Sequence, residues 1–321
     1  MNRRSLTLLG AALALAPLLG QAQSFPEKPI TFVVPFAAGT ATDQIARALG
    51  NVITAETKQA VVIDNRAGAS GFIASQFVAK APADGYTVLI TTNTTHAANE
   101  HLYKKLPYDP VKDFAPLAGL GKGGQIMVVN PASNVKSVAD FIALAKKEPG
   151  KLSFGSGSSS SRMAGELLQQ MADIKLLHVP YKSNTLAVTD LLGGQIDMMI
   201  TDTATGLPQV KGGKLRALGM SSASRSPLAP DVPTIAEAGV KGYEMGYWFA
   251  AYAPAKTPPA VVKRLNELLV KAAKSDSAKT AFYEPSGTEV FTTSPEELAK
   301  FQAGESQKWG RIVKAAGIEA E

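Results

Sequence analysis

The residues between Ile30 and Leu49 constrain the chain more than any others. Ile30-Thr31-Phe32-Val33-Val34 is an apolar, largely β-branched run, and Pro35, which cannot donate to a sheet ladder, ends it. Gly39 then permits a turn through backbone angles that other residues resist. Thr40 and Asp43 have the T-x-x-D spacing of a capping box, and Ile45-Ala46-Arg47-Ala48-Leu49 supplies a helical face. A strand, a tight turn and a helix in succession leave backbone N–H groups and the positive end of a helix dipole facing whatever lies above the sheet. That end favours an anion. An ordinary βα connection has the same pattern, so this stretch alone does not choose between the two readings.

The alternation continues. Residues 60–63 are β-branched, Asp64-Asn65-Arg66-Ala67-Gly68 is a turn, and residues 70–80 have helical spacing. Pro82-Ala83-Asp84-Gly85 turns the chain into Tyr86-Thr87-Val88-Leu89-Ile90. The order β-α-β-α-β predicts a parallel sheet with helices on both faces. The third strand runs into Thr91-Thr92-Asn93-Thr94-Thr95-His96, and ligands of open α/β sheets bind at such carboxyl ends.

A second α/β series occupies residues 137–220. Its strands are expected over 152–154, 176–179, 196–200 and 215–220, its helices over 137–147, 162–171 and 185–192. The first strand enters Gly155-Ser156-Gly157-Ser158-Ser159-Ser160-Ser161, and the third ends at Thr201-Asp202-Thr203. Two such units with polar loops at strand ends predict a cleft between two lobes. Between them, Gly119-Leu120-Gly121-Lys122-Gly123-Gly124 reads as a flexible crossing. It matches G-x-G-x-x-G, but it leads into a strand at 126–129 rather than opening a helix, so the dinucleotide fingerprint lacks its context. Beyond the apolar, aromatic run 247–253, helical patterns over 258–274 and 295–316 flank a short strand at 288–291 and are expected to pack back on the first lobe.

At 321 residues, with 45% hydrophobic and 19% charged residues, the chain has the composition of a soluble globular protein of two domains. Arg3 and Arg4, the apolar run from Leu6 to Leu19 and Gly20-Gln21-Ala22 form a secretory signal peptide with the cut after Ala22. No later stretch is apolar for the roughly 18 residues that a membrane-spanning helix needs. The leader holds two of the 33 basic residues and none of the 27 acidic ones, which leaves a mature excess of four. These bases are scattered among acids, a solvated surface rather than a nucleic-acid patch. There are no cysteines, hence neither disulfides nor a lipid-attachment thiol. An exported protein of the periplasm, with no membrane anchor and monomeric, is the expectation.

Catalytic constellations are weak. The three histidines, His96, His101 and His178, lack metal-ligand spacing, and no metal or cofactor is expected. The Ser-rich loop invites a serine hydrolase with Ser158 as nucleophile. Yet G-x-S-x-G is absent, and Asp197 and Asp202 follow His178, the wrong order for an α/β-hydrolase. Binding is better served: Gly155-Ser156-Gly157-Ser158 before a helix offers N–H groups and hydroxyls to a small anion, although a flexible linker has the same composition. Asp202 could accept from a ligand, order water or cap the following helix. Trp248 and Phe249 could wall the pocket or pack in the core.

Together these residues resemble a known family. Val33-Val34-Pro35-Phe36 with Gly39 and Thr42-Asp43 is similar to the opening motif of the Bug-type solute-binding receptors of tripartite tricarboxylate transporters. So are Asp64-Asn65-Arg66-Ala67-Gly68, the run from Leu102 to Pro110, Asp113-Phe114, Val179-Pro180-Tyr181-Lys182, the run from Asp190 to Asp197, that from Gly213 to Leu218, and Pro230-Asp231-Val232-Pro233-Thr234. The likeness covers essentially the whole mature chain, in order. It implies a non-enzymatic, periplasmic α/β protein of two lobes, of the Venus-flytrap, type II-like kind, each lobe a mainly parallel sheet flanked by helices. Such a receptor closes over a small carboxylate-bearing solute and delivers it to membrane permease subunits. A ligand sensor that docks on a signalling partner would have the same sequence.

The resemblance also implies the site. The loop after the first strand (Phe36, Ala37, Ala38, Gly39, Thr40, Thr42, Asp43) holds one carboxylate, largely through backbone and ordered water. Thr92, Asn93, Thr95 and His96, then Ser156, Gly157, Ser158 and Ser159, then Asp202 and Thr203 complete the pocket, with Phe249 as a wall. Two departures stand out. The first loop has Ala37-Ala38 and Thr40-Ala41 where the family is richer in Pro and Gly. The second loop is shorter and has Arg162-Met163 where His-Leu is usual. Arg162 could serve a second carboxylate bidentately, or be an exposed arginine at a helix start. The expected division is a signal peptide 1–22, lobe 1 from 23–123 plus 247–321, and lobe 2 from 124–246.

Overall fold

The computed structural model describes residues 25–315 and 317–320; the expected signal peptide lies outside them. Among the described residues, no helix is long and apolar enough to cross a membrane. Strands β1 (Ile30–Val34), β2 (Val61–Asn65) and β3 (Thr87–Thr92) form parallel pairs, with β1 in the middle. Helices α1 (Ala41–Thr57) and α2 (Phe72–Ala79) connect them. This is the anticipated alternation, and it ends where the pattern said: Phe32, Val33 and Val34 are fully buried, and the chain turns at Pro35.

The crossing between the halves differs from expectation. The Gly-rich run is no flexible connection but the middle of one strand, β4 (Phe114–Val129). Up to Gly124 it pairs antiparallel with β9 (Gly246–Pro254); from Gln125 onward it pairs with β7 (Met198–Asp202) and β8 (Arg216–Met220). The glycines answer close packing rather than flexibility. Side chains at Gly119 and Gly121 would run into Phe291 and Thr288, which press on the strand from a segment far along the chain. That segment, read as a short strand, forms no strand: its pairing with β4 is an isolated bridge between Glu289 and Lys122.

The second half repeats the parallel motif. β5 (Ser153–Ser156) pairs parallel with β6 (Leu177–Pro180) and β7, joined by α5 (Ser159–Ala172) and α6 (Asn184–Leu192). The whole sheet runs β2-β1-β3-β9-β4-β7-β5-β6, with β8 off that path against β4. The outer strands are parallel, as the α/β alternation requires, while the central β4 and β9 run antiparallel to their neighbours. α3 (Asn99–Leu102), α4 (Val138–Lys147), α7 (Thr203–Lys211) and α8 (Pro259–Lys274) complete the layers. Leu265, Leu268 and Leu269 of α8 join Ile45 and Leu49 of α1 in one core cluster. The C-terminal helix Pro295–Ala315 puts Trp309 against α3 and β9 residues in another. The C-terminal segment thus packs on the half that holds β1–β3.

Trp309 is 1% exposed. Trp309→Ala should cost about 3–5 kcal/mol in chemical denaturation, the usual loss for a buried aromatic. An unchanged midpoint would show that the C-terminal helix is not part of this core.

Candidate functional site

Four helices begin at one cleft among the described residues, and their first turns form its walls. The cleft has about 430 Å³ of empty space and is lined by Thr40, Ala41 and Thr42 of α1, Ser158 and Ser160 of α5, Ser183 and Asn184 of α6, and Asp202 and Thr205 of α7. Thr92 and Asn93 at the end of β3, Gly157 and Phe36 close it, and Tyr247 and Phe249 of β9 form an aromatic side. The strand alternation explains the aromatics: positions 247 and 249 face one side and Trp248 the other. Trp248 instead donates its indole N–H to Glu305 at 3.2 Å.

The four helix starts are not equivalent. Ser158 accepts from the Ser161 N–H at 3.2 Å and caps α5. Ser183 accepts from the Leu186 N–H at 3.3 Å and caps α6. Asp202 accepts from the Thr205 N–H at 2.8 Å and caps α7. At α1 the cap position is Thr40, and its side chain makes no cap hydrogen bond. Its hydroxyl turns back and donates to the Ala37 carbonyl at 2.7 Å. The capping box read from Thr40 and Asp43 is therefore not formed. The first N–H groups of α1 meet the cleft with no cap from Thr40, carrying the dipole's positive end.

Asp43 is drawn elsewhere, which is why. Its carboxylate, 3% exposed, accepts from the Gly39 N–H at 2.9 Å, from the Arg47 Nε at 2.9 Å and from the Asn65 amide at 3.0 Å. Burial pushes its pKa up, but these hydrogen bonds and the Arg47 charge together outweigh burial and hold it below the ordinary 3.8. Asn65 also donates to the Phe36 carbonyl at 3.0 Å, so β2 pins both ends of the turn. Gly39 itself has φ +82°, the left-handed region, with nothing within 4 Å of where a Cβ would stand. Its requirement is conformational, not close approach.

The loop after β5 is tied down on the other side. Gly157 donates its N–H to Asn184 Oδ1 at 3.0 Å, and a Cβ on it would overlap the Ser183 carbonyl carbon and the Asn184 nitrogen. Asn184 in turn donates to Asp202 Oδ2 at 2.9 Å, while Asp202 Oδ1 takes the Thr205 N–H and hydroxyl. So the Gly157 N–H, one of the expected anion donors, serves Asn184, and of the roles open to Asp202 the helix cap is the one formed. Asn93 is fully buried and donates to the Gly246 carbonyl at 3.2 Å.

The remaining expected residues divide. Ala37, Ala38 and Gly39 form the turn at the rim rather than the cleft wall, and Asp43 stands behind it. Thr95 and His96 lie in the core. The Thr95 hydroxyl bonds Thr91 at 2.6 Å, and the His96 ring stacks on Tyr252 at 3.9 Å. Burial lowers the His96 pKa to about 3, so it is neutral and presents no cation. The Thr203 hydroxyl bonds Tyr247 at 2.9 Å. Ser156, Ser159 and Arg162 line a neighbouring cavity instead, and the Ser159 hydroxyl donates across to Asn99 at 2.9 Å. Sequence reading missed Ala41, Ser160, Ser183, Asn184, Thr205 and Tyr247. The position of Ser183-Asn184 just after a strand was the available signal for two of them. Among the described residues no cluster of His, Asp or Glu could hold a metal.

Comparison with known proteins agrees with this architecture. The model of the tripartite tricarboxylate transporter family receptor matches residues 45–318. The Bordetella pertussis protein BugT is 34% identical over 321 residues, covering 98% of each chain. The solved structure of Rpa4515 of R. palustris with adipate has a TM-score of 0.90 at 36% identity, covering 92% of this chain and all of that one. That of the periplasmic binding protein BugD has 0.88 at 31%, with the same coverage. The fold and cleft define a two-lobed solute-binding protein of the α/β class. The chain belongs to the tripartite tricarboxylate transporter receptor family, of Bug type. Its relatives are solute-binding proteins rather than enzymes, which sets aside a hydrolase built on Ser158.

Two variants test the local account. Gly157→Ala should lower the melting temperature by several degrees, because the clash is with backbone rather than a flexible side chain; an unchanged melting temperature would show that the loop is loosely held. The depressed Asp43 pKa stabilises the fold above pH 3.8, and that contribution is lost as pH falls through the native value. Asp43→Asn should therefore be less stable at pH 7 by about 1–3 kcal/mol, with the gap closing below pH 4 in pH-dependent melting. A gap of equal size at pH 7 and pH 3 would contradict the network.

Proposed function

We propose that this protein captures a small carboxylate-bearing solute in the periplasm and delivers it to the membrane permease subunits of a tripartite tricarboxylate-type transporter. Residues 1–22 act as the export signal. Lobe 1, residues 23–123 plus 247–321, and lobe 2, residues 124–246, close over the ligand, and occupancy shifts the open–closed equilibrium. The observation that carries the reading is the inequality of the four helix starts. α5, α6 and α7 are capped by their own side chains, while α1 brings its first N–H groups to the cleft uncapped by Thr40. A carboxylate is the ligand that such a terminus favours. Thr42, Thr92 and Ser158 supply hydroxyls beside it, and Phe36, Tyr247 and Phe249 shape the apolar remainder. The adipate bound in the R. palustris relative supports the ligand class.

The cleft walls contain one charged side chain, Asp202, which its neighbours already engage. Carboxylate binding here depends on oriented dipoles and bridging water, not on a cation.

Isothermal titration with mono-, di- and tricarboxylates and aromatic acids tests the reading: at least one should bind, and binding by none would refute it. Gly39→Val forces a β-branched residue to φ +82° and should weaken that ligand about ten-fold or more by distorting the turn before α1. Unchanged affinity would remove the turn from the site.

A further inference from the structure

Helices α5 and α7 use their first turns in the same way. The cap residue of each, Ser158 or Asp202, lines the cleft, and the residue after it reaches across to the proposed lobe 1. Ser159 donates its hydroxyl to Asn99 Oδ1 at 2.9 Å, and the Thr203 hydroxyl meets the Tyr247 hydroxyl at 2.9 Å. All four residues are buried. Ser159 and Thr203 stand outside the cleft wall. Ser159 borders the cavity that holds His178, and Thr203 borders another, lined by Met220 and Tyr283. The two bonds therefore join the lobes at separate places.

Each partner is held in place by its own lobe. Asn99 donates its amide to the Ser70 carbonyl at 3.0 Å and to the Tyr108 hydroxyl at 3.3 Å, which fixes the side chain and leaves its oxygen for Ser159. Tyr108 is anchored in turn, donating to the Thr95 carbonyl at 2.9 Å. The Tyr247 hydroxyl also meets the Thr288 hydroxyl at 2.9 Å, and Ser286 donates to Thr288 at 2.8 Å. A buried run of hydroxyls, Ser286, Thr288, Tyr247 and Thr203, thus leads from the C-terminal segment to the first residue of α7. Gly123 makes room for it, because a side chain there would run into the Tyr247 hydroxyl. Of this run, Tyr247 is the member whose ring lines the cleft.

We propose that Ser159 and Thr203 are positioning residues for solute capture. Their hydroxyls clasp lobe 2 to lobe 1 once the lobes have met, and so lengthen the solute's stay without touching it. The inference rests on the proposed two-lobed closure and adds the contacts that hold it. Both bonds are between neutral groups. When the lobes part, water serves each group instead, so each bond shifts the closing equilibrium by only about three- to ten-fold. A buried ion pair at the same place would be costly to desolvate, and parting from one partner would strand a charge. Modest neutral bonds suit a receptor that must hold its solute and then release it.

The test measures association and dissociation rates by stopped flow, using the tightest binder among succinate, malate, adipate, citrate and benzoate. The proteins compared are the wild type, Ser159→Ala, Thr203→Val, the double variant and Thr203→Ser. Each of the two single losses should speed dissociation by about three- to ten-fold, and the double variant by about the product of the two. Association should change by less than about two-fold, because the clasps form only after the solute has entered. Thr203→Ser, which keeps the hydroxyl, should restore slow dissociation. Full stoichiometry in calorimetry shows that a variant is folded, and the two clasps lie far enough apart in the chain for either to carry the test alone. Unchanged dissociation rates, or a loss of affinity carried by slower association, would overturn the clasps while leaving the receptor reading intact. Binding of none of the five acids by the wild type would remove both.

Discussion

The Asp43 carboxylate, buried behind the first turn of α1, accepts from the Gly39 N–H, the Arg47 guanidinium and the Asn65 amide at 2.9 to 3.0 Å. Each bond ties a different element to the turn: the loop itself, the second turn of the helix, and the end of β2. With its acceptor capacity taken up there, Asp43 does not complete a capping box with Thr40, and the helix start is left facing the cleft. The arrangement exchanges helix stability, for which a cap contributes about 1 kcal/mol, for a rigid set of donors in a binding site. Removing the carboxylate would take the acceptor from the Gly39 N–H and cut the ties of Arg47 and Asn65 to the turn, so the turn, the strand end and the helix start are weakened together.

The opposite wall is built on the same logic with a different outcome. Gly157, Asn184 and Asp202 form a chain of hydrogen bonds that links three consecutive βα connections, and in it each helix caps itself. These groups give shape to the cleft rather than charge. Because β4 and β9 run through the middle of the sheet as paired antiparallel strands, the two walls are carried on one continuous hydrogen-bonded frame. The Gly124 and Gly246 pairing lies where β4 passes from one set of partners to the other. A side chain at Gly124 would run into Ser222 and one at Gly246 would crowd the Gly123 carbonyl, so glycine at this point again answers close packing.

Much of this was legible in the sequence. The apolar run ended by Pro35, the βα alternation and the polar residues at strand ends led to an α/β cleft protein, and the joint motifs to its family. What failed did so for identifiable reasons. The run from Gly119 to Gly124 reads as a flexible loop because its need for glycine comes from residues far along the chain, Phe291 at Gly119, Thr288 at Gly121, Tyr247 at Gly123 and Ser222 at Gly124, and local composition cannot register them. His96 ends a string of hydroxyls at a strand's carboxyl end and so reads as a site residue, yet stacking on Tyr252 and complete burial put it in the core. Thr40 and Asp43 have capping-box spacing, but Asn65 and Arg47 compete for the carboxylate, a competition visible only once β2 lies beside α1. Asn184 and Tyr247 were missed because their roles depend on which loops meet.

The account turns on the backbone N–H groups at the start of α1, and amide NMR observes them directly. Titration of isotopically labelled protein with a bound carboxylate should move the Ala41 and Thr42 amide protons downfield, as charge-assisted hydrogen bonds form, and by more than the capped amides of Ser161, Leu186 and Thr205. Shifts confined to the α5, α6 and α7 starts, with Ala41 and Thr42 unmoved at saturation, would contradict it.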